Sequence, residues 1–132
     1  MGRLPLHGIR VADLTVVWAG PYGAQLLADW GAEVIRLEPL HVVQPLTRGF
    51  EARPTRKQTP FAHHRFPNNE PGARPWNRSN TFNVHARNKL SMTVDLRQRE
   101  GMAVFEKLIR VSDVIMENNP VSTLEKLGIT YD

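Results

Sequence analysis

Few side chains in this sequence are spaced for chemistry: a carboxylate at Glu38, glycines at Gly20 and Gly23, and basic residues at Arg87, Lys89 and Lys126. Glu38 closes the run "AEVIRLE" eighteen residues past Gly20, about where many dinucleotide-binding folds place the acid that holds a ribose. A pyrophosphate site also needs glycine directly after the first strand, because backbone N–H groups close on a phosphate only where no side chain intervenes. Here "TVVWAGPYG" follows, without G-x-G-x-x-G, and Gly20 and Gly23 keep only the spacing of that motif's last pair. NAD binding is therefore a minor alternative, and Glu38 reads equally as a solvated strand cap. Taken singly, Arg87, Lys89 and Lys126 read as a solvated face. His63 and His64 are adjacent and the chain has no cysteine, so no metal site is expected. G-x-S-x-G and P-loop sequences are absent, and no catalytic residue is assigned.

The elements that must position these residues alternate. "GIRVADLT" is a short apolar segment with β-branched residues, predicting a strand. "AGPYGAQLLADWG" predicts a helix, with Pro21 at its first position and Gly31 as a left-handed stop. "AEVIRLE" predicts a second strand. From residue 40 to about 82 the periodicity vanishes and prolines recur at 45, 54, 60, 67, 71 and 75 among many arginines, which reads as a long loop. "KLSMTVDL" predicts a strand. A helix from about Gln98 follows, with Met102, Phe105, Leu108 and Ile109 on one face. "DVIME" predicts another strand and "NPVSTLEKLG" a short helix closed by Gly128. Strand–helix alternation in 132 residues predicts one α/β domain with a mostly parallel sheet and flanking helices.

The formal net charge is +4, modest and mixed with acids throughout, so charge alone names no partner. The lack of cysteine suits a cytoplasmic protein, and no apolar run reaches the roughly 18 residues of a membrane-spanning helix. Phe61, Phe66 and Trp76 interleaved with arginines give the loop the makings of a single-stranded nucleic-acid surface, a reading ranked below a lid or insertion.

Taken in order, "LHGIRVADLTVVWAGPYGAQLLADWGAEVIRLEP", "RNKLSMTVDL", "EGMAVFEKLI", "SDVIMEN" and "LEKLGITYD" resemble the opening third of family III coenzyme A transferases, the CaiB/BaiF type, whose relatives include α-methylacyl-CoA racemases. The resemblance implies a Rossmann-like domain, incomplete over 1–132, that binds CoA or an acyl-CoA without a metal. It further implies a homodimer, or association with a C-terminal portion that completes the domain. By resemblance, Val17 and Trp18 occupy the loop that approaches the thioester, Arg87, Lys89 and Lys126 serve the phosphates, Asn118 contacts the nucleotide end and Leu127 neighbours the adenine. Gly20 and Pro21 are structural, and Glu38 loses the ribose role.

The family's attacking aspartate lies downstream of the L-G-x-x-Y segment, so no nucleophile is matched here and transfer by this chain alone is not expected. Asn119 stands where the family usually has an aromatic residue, Pro120 comes one step early, and Leu90 and Ala86 replace a common arginine and asparagine. These departures point to weaker CoA binding. An assembly module without its own ligand is the alternative from a different class.

Overall fold

The computed structural model describes residues 2–39 and 66–130; the rest of the expected loop, with Phe61, His63 and His64, lies outside them, as do Asp132 and the side chain of Trp76. The chain forms two compact units, Met1–Val42 with Asn88–Asp132, and Val43–Arg87.

The first unit is a parallel sheet with helices on both faces. Its strands are β1 (Arg10–Asp13), β2 (Glu33–Glu38), β3 (Lys89–Thr93) and β4 (Val114–Met116), in the order β3-β2-β1-β4. Val11 pairs with Val34 and Val114, and Val34 with Lys89, so these residues lie in one row. Between β1 and β2 runs α1 (Ala19–Asp29). It begins two residues earlier than the sequence reading, leaving Pro21 at its third position, where the missing N–H is still one that the first turn leaves unbonded. The helix stops as expected at Gly31, whose φ of +100° is open to glycine, and where a Cβ would stand 2.6 Å from that of Leu4.

Side chains alternate along β1 and build different layers. Val11 packs with Val34 and with Ala24, Ala28 and Ala32 of the α1 layer. Ala12 and Leu14 pack on the other face with Leu37, Val94, Phe105 and Leu108, the last two from α4 (Arg99–Ile109). Leu124 and Ile129, on and just past α5 (Val121–Lys126), join that second layer. All strands of the sheet are parallel and helices flank it, as the α/β reading expects.

In the second unit, part of the stretch read as loop is helical: α2 (Pro75–Arg78) and α3 (Asn80–Ala86). Ser79 caps α3 by accepting from the Phe82 N–H, and Arg78 donates to the carbonyls of Glu70 and Pro67. Proline at the start of α2 favours a helix there rather than breaking one.

Candidate functional site

In an open parallel sheet ligands collect beyond the carboxyl ends of the strands, where the strand order reverses. Here β2 and β3 build outward on one side of β1 while β4 lies on the other, so the reversal falls between β1 and β4. The β1–α1 loop, Leu14 to Trp18, leaves from that point.

This loop is held from both sides. From the β4 side, Asn118 accepts from the Val16 N–H at 2.8 Å and donates to the Val16 carbonyl at 3.1 Å, while Asn119 donates to the Leu14 carbonyl at 3.3 Å. From the β3 side, the Lys89 ammonium lies 2.7 Å from an Asp13 carboxylate oxygen and 2.9 Å from the Pro21 carbonyl in the first turn of α1. The other Asp13 oxygen accepts from the Thr15 N–H at 2.9 Å and from the Thr15 hydroxyl. Both side chains of the ion pair are buried, at 1% and 0% exposure. Burial pulls the Lys89 pKa below its ordinary value, with the Asp13 charge opposing and the Arg36 charge adding to the fall.

Between these anchors Val17 has a φ of +65°, the left-handed region that a β-branched side chain rarely enters, at a cost of about 1–3 kcal/mol. Gly20 lies where a Cβ would stand 2.6 Å from the Thr15 Cβ and 2.8 Å from the Asn118 amide carbon. Only glycine lets α1 start so close to both the loop and the end of β4.

Of the residues read from sequence, the structure brings Val17, Trp18 and Asn118 together at the carboxyl ends of β1 and β4, with Val17 and Trp18 exposed. Lys126 ends α5 with its side chain exposed, and Leu127, half-buried, caps it. Lys89 opens β3 rather than closing it; its side chain is buried, and its ammonium pairs with Asp13 at the carboxyl end of β1. Arg87 is exposed and belongs to the second unit. Glu38 gains partners that sequence did not give, Ser91 at 2.5 Å and Arg36 at 3.5 Å.

Sequence reasoning missed Asp13 and Thr15, for which the available signal was a carboxylate closing a short strand directly after Val11 and Ala12. It also missed Arg97, which follows β3 at the carboxyl end of the sheet and pairs with Asp95 at 2.8 Å. Among the described residues, no group of His, Cys, Asp or Glu is placed to hold a metal, and no helix is long and apolar enough to cross a membrane.

This arrangement matches known proteins along almost its whole length. The profile of CoA-transferase family III covers residues 6–132. The chain belongs to CoA-transferase family III. Among curated relatives of the family, the succinyl-CoA–L-malate CoA-transferase alpha subunit of Chloroflexus aurantiacus is 36% identical over 129 residues, 98% of this chain and 26% of that protein. The succinyl-CoA–D-citramalate CoA-transferase of the same organism is 36% identical over 97% of this chain and 27% of its own length. A CaiB/BaiF family protein from Brucella suis superposes with a TM-score of 0.72 at 31% identity, over 98% of this chain and 30% of that one. This family III chain thus spans about a quarter of the length of the curated relatives it matches.

Proposed function

We propose that the carboxyl-end crevice between β1 and β4 takes CoA or an acyl-CoA, in a protein that moves CoA between carboxylic acids. The observation that carries the reading is the β1–α1 loop: Asn118 fixes Val16 by both ends of its amide, and Val17 is kept in a strained conformation that leaves Val17 and Trp18 exposed at the reversal of strand order. Strain held by convergent hydrogen bonds accompanies binding sites, where a preset backbone avoids the ordering cost of capture.

In this reading Val17 and Trp18 line the thioester end, and Asn118 presents its backbone and holds the loop. Lys126, with Leu127 beside it, offers charge to the phosphates. Lys89 acts from inside. Resemblance matches no attacking carboxylate within residues 1–132, and this reading assigns none of them to the covalent step, in which a carboxylate displaces CoA from the acyl group. The test is thermal unfolding with acetyl-CoA against NAD at matched salt. A folded-state ligand at a hundred times its Kd stabilises by about 2.7 kcal/mol. A midpoint that rises with acetyl-CoA and not with NAD supports the site; no shift with either removes it.

A second reading, assembly with itself or with other parts of a longer chain, is supported by exposed apolar side chains. Trp18, Tyr22, Leu26 and Trp30 recur every four residues from the start of α1 to its end, and Val114 and Ile115 are exposed on the edge strand β4. Sedimentation giving a monomer at all concentrations would count against it.

A further inference from the structure

The ion pair between Lys89 and Asp13 is a costly object. Removing two charges from water is repaid only by close geometry and by hydrogen bonds to the remaining lone pairs and protons, and apolar replacements are often as stable. Around it, the α1-facing side of the sheet also carries Arg36, Glu38 and Ser91, whereas the buried layer on the opposite side is built from apolar side chains. A pair that adds little net stability needs another account of what it does, and its hydrogen bonds supply one.

The pair touches both ends of the β1–α1 loop. Asp13 is the last residue of β1 and holds Thr15, where the loop begins; Lys89 holds the Pro21 carbonyl, inside the first turn of α1. The ammonium of Lys89 thus links the strand end to the helix start across the segment that contains Val17. Asn118 holds Val16 from the other side of β1. Without the link on the β3 side, the loop would be fixed at one edge and Val17 could relax from its left-handed conformation.

We propose that Lys89, with Asp13, is a positioning residue that holds the β1–α1 loop in its ligand-ready conformation from beneath, and touches no ligand itself. The inference rests on the proposed function for its consequence in binding, but its structural content does not. It replaces the sequence expectation that Lys89 meets a phosphate with a role that acts through the backbone of residues 15–21.

The experiment compares the wild-type chain with Lys89→Met and with the double variant Asp13→Leu/Lys89→Met, which leaves no uncompensated charge. Amide exchange is followed at Val16, Trp18 and Tyr22 and, as an internal reference, at Val34 and Ile35 of β2, without ligand. Acetyl-CoA affinity is measured in parallel. The proposal expects the double variant to keep its unfolding midpoint within a few degrees while the loop amides exchange on the order of tenfold faster than those of β2, relative to wild type. It expects acetyl-CoA affinity to fall by a similar factor. Loop amides at wild-type rates in a folded double variant would overturn it. So would global unfolding of the double variant, which would make the pair a determinant of the whole unit's stability. If wild-type chain does not bind acetyl-CoA, the proposed function fails, and the exchange comparison still decides the role of Lys89.

Discussion

The two faces of one sheet bury different amounts of charge. Toward α4, Ala12, Leu14, Leu37 and Val94 meet Phe105 and Leu108 in an apolar layer, and the Arg10–Glu33 ion pair at the start of the strands is solvent-exposed. Toward α1, the same strands set Asp13, Arg36, Glu38, Lys89 and Ser91 beside the apolar Val11 and Val34, with Gln25 fully buried on the helix above. Apolar packing is nondirectional and tolerates small shifts; hydrogen-bonded charges fix atoms to a few tenths of an ångström and tolerate none. The difference teaches a division of labour: the α4 face supplies cohesion, and the α1 face supplies aim for the loop at its end.

The largest effects should come from breaking each face by its own means. Phe105→Ala, at 3% exposure in the wild type, is expected to cost about 3–5 kcal/mol through lost burial and a cavity, read as a lower urea midpoint. Lys89→Met, which strands the Asp13 carboxylate, is expected to cost a similar 3–5 kcal/mol. The two are told apart by adding Asp13→Leu, which should recover much of the second loss and none of the first.

A smaller effect is expected at Gly20→Ala, where the new methyl meets Thr15 and Asn118. Overpacking of that kind costs about 1–3 kcal/mol, and acetyl-CoA affinity should fall beyond what the lost stability explains. Val17→Gly should go the other way. Relief of the left-handed strain, offset by the entropy of glycine, is expected to raise stability by no more than about 1 kcal/mol while loosening the loop, so midpoint and affinity move in opposite directions.

The smallest effect concerns pH. Because burial holds the Lys89 pKa below its ordinary 10.5, the folded chain releases that proton before the unfolded chain does. Between the lowered folded value and 10.5 the unfolded state therefore binds more protons, and this group's contribution to stability rises with pH. The alkaline urea midpoints of wild type minus those of Asp13→Leu/Lys89→Met should show that upward slope; a flat difference would mean that Asp13 compensates the burial fully.

Much of the α4 face was legible in sequence, because Met102, Phe105, Leu108 and Ile109 repeat at helical spacing and such periodicity survives folding. Gly31 and Gly128 marked helix ends for the same local reason, and both have positive φ. The α1 face was not legible. Lys89 and Asp13 are 76 residues apart, and nothing near either says that a charge in a strand will be buried against another. Resemblance assigned Lys89 to a phosphate, and its buried partner Asp13 is a tertiary fact that no local pattern carries. The helices at Pro75–Arg78 and Asn80–Ala86 were hidden by prolines that mark helix starts as readily as loops. Val17, Trp18 and Asn118 came from resemblance, and the loop's strain had no sequence signature, since a β-branched residue rarely takes that conformation.

The last backbone bond between β4 and β1 runs from the Leu14 N–H to the Met116 carbonyl, and just beyond it Asn118 donates to and accepts from Val16. Its carboxamide therefore stands in for a peptide group and adds a surrogate rung to a ladder whose partner strand has already ended. A surrogate must match a peptide in both polarity and reach. Aspartate at this position would face the Val16 carbonyl with a second acceptor, serine would satisfy one half of the rung, and glutamine would overshoot it by a methylene.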